Sequence, residues 1–299
     1  MTTRANGIAL AFVAALVSGV SIYVNAHAVR HFGDATVYTT AKNAVAGVLL
    51  LALLVIAPRR KEAARPRLAH HWPALAAVAI VGGSVPFVLF FEGLARAQAT
   101  DASFIQKTLV VWVALLAVPI LRERFRAPHA AAIVLLIVGQ AWLVGHLGTV
   151  TFGSGEAMIL GATLLWAVET VFVKHLLGSI PSRTLAAARM GGGTVALLGW
   201  LAVTGKAGQL GGFGVEQWRW ILLTGLLLTA YVATWYAALA RAQAVDVTAM
   251  LVFGAVVTAL LSGAADGAPV NVTGAILVAA GSATMAWAAV RRKPVEATP

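Results

Sequence analysis

The chain has 299 residues, of which 60% are apolar and 11% are charged, and its mean hydropathy is +0.86. A soluble domain needs more charge to cover its surface, so this composition excludes an ordinary water-soluble protein and indicates a chain that lies mainly in a lipid bilayer. The net charge of +11 does not indicate a nucleic-acid partner, because the basic residues lie in short loops between apolar segments. The absence of cysteine excludes disulfides, thiolate catalysis and zinc–thiolate sites.

Ten apolar segments are long enough to cross a bilayer, which takes about 20 residues. In chain order they are 6–29, 34–57, 72–95, 102–121, 128–147, 154–176, 184–204, 217–239, 245–262 and 271–290. The first segment also has features of a signal peptide, because Arg4 precedes the apolar run and Ala26-His27-Ala28 resembles a cleavage site. Its apolar run is longer than a typical signal core, so we expect a permanent helix. The polar segments are too short to form a soluble domain.

Lys and Arg residues are distributed unevenly between alternate loops. With a cytoplasmic amino terminus, 15 of them lie on the cytoplasmic side, 4 lie on the opposite side, and the remaining three lie within predicted helices. Basic residues favour the cytoplasmic side of a membrane, so this distribution predicts that both termini are cytoplasmic and that the number of spans is even.

One eight-residue motif occurs twice. Leu94-Ala-Arg-Ala-Gln-Ala-Thr-Asp101 recurs as Leu239-Ala-Arg-Ala-Gln-Ala-Val-Asp246, each time between the third and fourth helices of a set of five. We therefore divide the single membrane domain into five-helix repeats at 1–148 and 149–299. Because five is odd, the second repeat enters the membrane inverted, as in many secondary transporters that alternate access to a midplane site. A duplication that only builds a stable bundle is the simpler alternative.

Three features together resemble the drug/metabolite transporter superfamily, specifically its EamA-type members: ten helices in two inverted fives, the Leu-Ala-x-x-x-Ala turns at Leu94 and Leu239, and Arg122-Glu123 after the fourth helix. Within that family the chain is most similar to the YddG-like exporters of aromatic and other amino acids. The resemblance implies a multi-pass protein of the bacterial inner membrane, with helices 1–4 and 6–9 around a central cavity and helices 5 and 10 at the periphery. The chain departs from the family pattern in carrying Ser18-Gly19 where Trp-Gly is common, and in lacking an acidic closing motif after helix 9.

Ionisable residues inside helices are candidate site residues, because their burial in a bilayer is costly unless they are paired or hydrated. Lys107, with Gln106 beside it and Ser103 one turn earlier, would suit a substrate carboxylate; alternatively it reaches the outer headgroups. Lys42 and Arg189 occupy nearly equivalent places in the two repeats. For these two we favour the interpretation that they anchor helix ends by extending to the headgroups.

Glu169 is the carboxylate predicted at mid-bilayer depth, three residues after Trp166. It would bind a substrate ammonium group or a transported proton, or it would form a structural ion pair with a basic residue on another helix. Aromatic and amide side chains complete the candidates for substrate binding, namely Trp112, Tyr231, Trp235 and Asn43.

Tyr231 and Trp235 are four residues apart and share a helix face, where they would suit aromatic side chains and ammonium groups. Tyr23 and Tyr38 lie near predicted helix ends, where aromatic residues usually form interfacial belts. Flexible points for alternating access are expected at Pro86, Gly82, Gly83, Gly191 and Gly192, although close helix packing explains the glycines equally well.

Several motifs are absent from the sequence. It has no G-x-x-x-x-G-K-[ST] loop, so ATP hydrolysis is not expected and no ATPase partner is implied. It has no clustered metal ligands, so we expect neither a metal nor another cofactor. The sequence therefore predicts a secondary transporter that exports small zwitterionic metabolites, especially amino acids. The alternatives are a broad exporter of organic cations or drugs that uses Glu169, and an intramembrane enzyme or lipid-handling protein.

Overall fold

A computed structural model describes residues 3–56, 68–97, 99–145 and 152–291, except for the side chains of residues 68–70, 99, 100 and 103, and every regular element in these ranges is helical. Nine helices in the described ranges are long and apolar enough to cross a membrane, and a tenth apolar segment, Phe104–Ile120, is shorter. Large apolar side chains cover the outer surface; Val203, for example, is 85% exposed. The prediction of an all-helical membrane protein is therefore confirmed.

We number the helices α1 to α10. Six are continuous: α1 Thr3–Ala28, α2 Ala35–Ile56, α5 Ala127–Val144, α6 Ser154–Leu176, α8 Val215–Leu239 and α10 Val272–Val290. Four are interrupted: α3 at Leu68–Gly83 and Val85–Leu94, α4 at Ala99–Lys107 and Leu109–Ile120, α7 at Ser182–Ala187 and Gly193–Val203 around a π-helical turn at Ala188–Gly192, and α9 at Ala244–Leu251 and Gly254–Asp266. Short 3₁₀ turns lie at Val29–His31 and Ala207–Gly212.

The fourth helix carries polar residues in its first part and has a local break at Thr108. Asp101, Gln106 and Lys107 lower the hydropathy of this part. At the break, the Thr108 hydroxyl donates a hydrogen bond to the carbonyl of Ile105 at 2.6 Å. Such a local bond competes with the regular helical pattern.

Many helix contacts recur when each helix is replaced by its counterpart in the other half of the chain. α1 packs against α8 and α9, and in the same way α6 packs against α3 and α4. In the same way, α2 packs against α8 and its counterpart α7 packs against α3. Two further contacts join equivalent helices of the two halves, α2 with α7 and α5 with α10. These contacts between different positions thus recur with the two halves exchanged.

Glycine permits the closest of these crossings. A Cβ atom at Gly83 of α3 would overlap the carbonyl oxygen of Arg189 in α7, and it would lie 3.1 Å from the Cα atom of Gly193. Small residues let membrane helices approach closely enough for backbone contact. The π-helical turn of α7 therefore lies directly against α3.

Candidate functional site

A cavity of about 180 Å³ lies between the helices, and the described residues that line it come from α1–α4 and α6–α9. Its lining reaches Asn25 and Ala26 near the end of α1, Leu94 at the end of α3 and Ala102 near the start of α4. The cavity therefore extends toward the end of the bundle where α1 and α3 end. We call this the α1-end, and we call the opposite end, where α6 and α8 end, the α6-end.

Each of the four interrupted helices has its break beside this cavity. The lining includes Phe87 just after the break in α3, Lys107 before the break in α4, Arg189 in the π-helical turn of α7, and Val252 at the break in α9. Irregular backbone at membrane depth is tolerated where it is buried in protein or lines a cavity. π-helical turns are also frequent at functional sites.

In the second half of the chain, the cavity holds a buried ion pair. Arg189 Nε lies 3.7 Å from Glu169 Oε1, and both side chains are buried. The Tyr236 hydroxyl donates a hydrogen bond to the same carboxylate oxygen. Arg189 therefore does not extend to the headgroups, and that prediction is wrong, because the close packing of α7 against α3 directs the side chain inward.

In the first half, Lys42 occupies the corresponding position without a carboxylate. Its ammonium group donates a hydrogen bond to Asn25 Oδ1 at 2.7 Å and lies 3.9 Å from the centre of the Phe91 ring. Lys42 is 3% exposed, so the prediction that it anchors a helix end is also wrong. The Tyr38 hydroxyl donates to the same Asn25 oxygen at 2.7 Å.

Tyr38 is completely buried by this arrangement, so it does not belong to an interfacial belt as predicted. Asn25 is in turn fixed by its own amide group, which donates to the Ser21 carbonyl at 2.7 Å. The position of Lys42 is therefore set by hydrogen bonds from α1.

Lys107 also lines the cavity, next to Gln106 on α4. It is 5% exposed, and its ammonium group has no hydrogen-bond or ion-pair partner among the described residues. A buried ammonium group without a counter-ion is costly, so it is a strong candidate for binding an anionic ligand.

Aromatic rings form much of the remaining wall. The Trp166 ring lies 5.5 Å from the ring of Phe87 and 5.5 Å from that of Phe90, and its Nε1 donates to the Gly82 carbonyl at 3.2 Å. Tyr231 and Trp235 stack with their ring centres 6.2 Å apart. The phenylalanines were missed in the sequence, although Phe87, Phe90 and Phe91 have the spacing of one helix face.

Two predicted site residues lie outside the cavity lining. Asn43 is fully buried, and its amide atoms have no hydrogen-bond partner among the described residues. Trp112 is half-buried and donates to the Thr108 hydroxyl at 3.2 Å. Ser103 lies in α4, but its side chain is outside the described part of the chain.

The predicted flexible points lie in α3 and in the π-helical turn of α7. Pro86 follows the break in α3, one residue after Val85. A Cβ atom at Gly82 would lie 2.6 Å from Glu169 Cγ, and one at Gly192 would lie 2.7 Å from Ala79 Cβ. Together with Gly83, these glycines are needed for close packing. Gly191 makes only ordinary contacts, with the side chain of Leu51.

At the α6-end the helices are held together by buried polar contacts. Glu123 accepts hydrogen bonds from the backbone N–H groups of Ala244 and Val245 at 2.6 and 3.1 Å, and so caps the start of α9. Lys174 donates to the carbonyls of Leu239 and Ala242 at 2.6 and 2.7 Å. His129 Nε2 lies 3.6 Å from Asp246 Oδ1 in the same region. These contacts close the bundle beyond the cavity.

Comparison with known proteins gives a family and a shared fold. The EamA-like transporter family matches residues 5–145 and, a second time, residues 153–289. An uncharacterized transporter of Archaeoglobus fulgidus is 27% identical over 197 residues, which cover 64% of this chain and 67% of the relative. An uncharacterized transporter of Methanothermobacter thermautotrophicus is 31% identical over 94 residues, which cover 30% of this chain and 27% of the relative. A solved crystal structure with 17% identity has a TM-score of 0.73, over 94% of this chain and 98% of that one.

Proposed function

Because this chain belongs to the EamA-like transporter family, we propose that it is a secondary transporter that exports small zwitterionic metabolites, especially amino acids and including aromatic ones, by alternating access. The membership and the transporters among its relatives point to transport and not to an enzyme. The observation that carries the proposal is a cavity whose described lining combines the unpaired ammonium group of Lys107 with several aromatic rings.

The proposed topology has ten spans in two inverted repeats, with both termini in the cytoplasm of a bacterial cell. The exchanged packing of the two halves, the two matches to the family and the 15-to-4 distribution of basic residues support it. In this topology the α1-end faces outward and the α6-end faces the cytoplasm. The cavity is then open toward the outside, and the contacts of Glu123 and Lys174 form the closed cytoplasmic gate.

The cavity offers a partner for each part of an amino acid. Lys107 would bind the carboxylate through charge-assisted hydrogen bonds. Tyr231, Trp235 and Trp166 would contact an aromatic side chain and the ammonium group through their ring faces. Glu169 is less available for a substrate cation, because Arg189 and Tyr236 already bind it.

The same contacts argue against the organic-cation exporter considered from the sequence. That function needs Glu169 as an available negative charge, but Glu169 is already paired with Arg189 and accepts a hydrogen bond from Tyr236. The described lining also contains three cationic side chains, Lys42, Lys107 and Arg189, against this single carboxylate. A net positive cavity repels a cationic substrate.

Transport by the purified protein in liposomes tests the proposal. We expect exchange of labelled amino acids, with phenylalanine among the substrates, and no exchange in protein-free liposomes. We also expect an imposed pH gradient not to drive accumulation, because Glu169 is held in a structural pair. Exchange of organic cations but not of amino acids would overturn the proposed substrate class.

A further inference from the structure

The two halves of the chain place a basic residue of their second helix against an aromatic ring of their third helix, but they compensate its charge differently. Lys42 of α2 lies beside Phe91 of α3, and Arg189 of α7 lies 5.9 Å from the Tyr236 ring of α8. Arg189 has a carboxylate partner in Glu169. Lys42 has the neutral amide of Asn25 instead, and it forms no ion pair with any described carboxylate.

This difference leaves two ammonium groups of one cavity without a counter-ion. Lys107 is the first and Lys42 is the second; both line the cavity and both are at most 5% exposed. Holding such groups away from bulk water is costly unless an anion accompanies them. A single substrate carboxylate at Lys107 would compensate only one of them.

The surroundings of Lys42 leave its ammonium group able to accept an anion. Asn25 Oδ1 accepts one of its three N–H groups, and Phe91 presents a ring face that cannot neutralise the charge. Asn25 is itself oriented by Tyr38 and Ser21, so the ammonium group is held in place at the wall. A preorganised donor of this kind loses little entropy on binding a ligand.

We propose that Lys42 is a second anion-binding group of the cavity, so that the protein prefers solutes with two carboxylates, such as glutamate or glutarate, over their uncharged counterparts. This inference rests on the proposed function, because it refines the substrate class of the same cavity. Phenylalanine and other neutral amino acids would then be weaker substrates than acidic ones. Hydrogen bonds to a charged group predict a difference of roughly 10- to 100-fold in apparent affinity between glutamate and glutamine.

The test compares glutamate, glutarate, glutamine and phenylalanine with the full-length protein. Counterflow in liposomes measures transport, and ligand-induced thermal stabilisation in detergent measures binding independently of transport. We expect half-maximal glutamate and glutarate concentrations at least tenfold below that of glutamine in both assays. Equal or tighter binding of glutamine overturns this inference but leaves amino-acid transport intact. Preferential binding of glutamate without any counterflow would contradict the proposed function and support the second anion-binding group.

Substitutions at Lys42 test whether this residue causes the preference for glutamate over glutamine. In Lys42→Met the ratio of glutamine to glutamate half-maximal concentrations should fall to near one, whereas Lys42→Arg should keep it above about tenfold. Lys206→Met removes a lysine that pairs with Asp34 outside the cavity, and it should leave the ratio unchanged. A preserved ratio in Lys42→Met shows that another group binds the second carboxylate and overturns the proposal. If Lys42→Met does not fold, Lys42→Gln, which also removes the charge, takes its place, and a preserved ratio in that folded variant overturns the proposal in the same way.

Discussion

Replacing Glu169 by glutamine should destabilise the protein strongly, because it leaves a buried guanidinium group without its counter-ion. Arg189 is 4% exposed, and its Nε and Nη1 atoms have no hydrogen-bond partner among the described residues. Its compensation comes from the Glu169 carboxylate at 3.7 Å. Breaking a buried pair by removing one partner typically costs about 3–5 kcal/mol. For a chain of this size that corresponds to a decrease in the melting temperature of roughly 10 °C.

Tryptophan fluorescence of the detergent-solubilised protein during heating measures this decrease. Glu216→Gln is the matched control, because that carboxylate is 69% exposed and should change the melting temperature by less than about 2 °C. The double variant Glu169→Gln/Arg189→Met removes both charges and should melt above Glu169→Gln alone. Two results would refute the reasoning about this pair. One is a Glu169→Gln protein with the melting temperature of the wild type. The other is a double variant whose decrease in melting temperature equals the sum of the decreases of the two single variants.

Three further predictions concern packing, topology and a surface ion pair. Gly83→Ala should prevent stable folding, because the added Cβ atom would overlap the Arg189 carbonyl. The control Gly199→Ala, whose Cβ atom meets no neighbour, should fold normally. Equal yields of monodisperse protein from the two variants would contradict this prediction. A cysteine that replaces Gly211 should react with an impermeant thiol reagent in intact cells, and one that replaces Phe125 should not. The opposite labelling pattern would contradict the proposed orientation in the membrane. Partial burial raises the pKa of Asp34, but Lys206 and two backbone N–H groups outweigh it and the net pKa is lowered. The pair therefore contributes stability above the ordinary pKa of Asp34, and this contribution is lost as pH falls through the lowered value. Lys206→Met should weaken the acid dependence of the melting temperature. At neutral pH the variant should lose less than about 1 kcal/mol of stability.

The helices and their order could be predicted because bilayer burial leaves a simple pattern in the sequence. Apolar runs of the required length located each predicted helix within a few residues of its position, although α3, α4, α7 and α9 are each interrupted. The repeated motif that begins at Leu94 and at Leu239 predicts a division into two halves, and the family model also matches the chain twice. Local breaks such as that at Thr108 depend on hydrogen bonds that no hydropathy pattern contains.

The candidate site could be predicted only in part, because neighbouring residues of a helix point in different directions. Lys42 lines the cavity while Asn43, the next residue, does not, and counting depth along the helix cannot separate them. The same count suggested that Lys42 and Arg189 reach the headgroups. Their actual partners lie elsewhere in the chain, on α1 for Lys42 and on α6 for Arg189.

The central claim is that a substrate carboxylate binds Lys107 in the cavity. Counterflow of labelled phenylalanine in liposomes that contain Lys107→Met tests it most directly, with folded protein confirmed by its melting temperature. We predict at least a tenfold loss of exchange relative to wild type, since the charge-assisted bonds are lost, while Lys206→Met retains wild-type exchange. Unchanged phenylalanine exchange by a folded Lys107→Met protein would contradict the account.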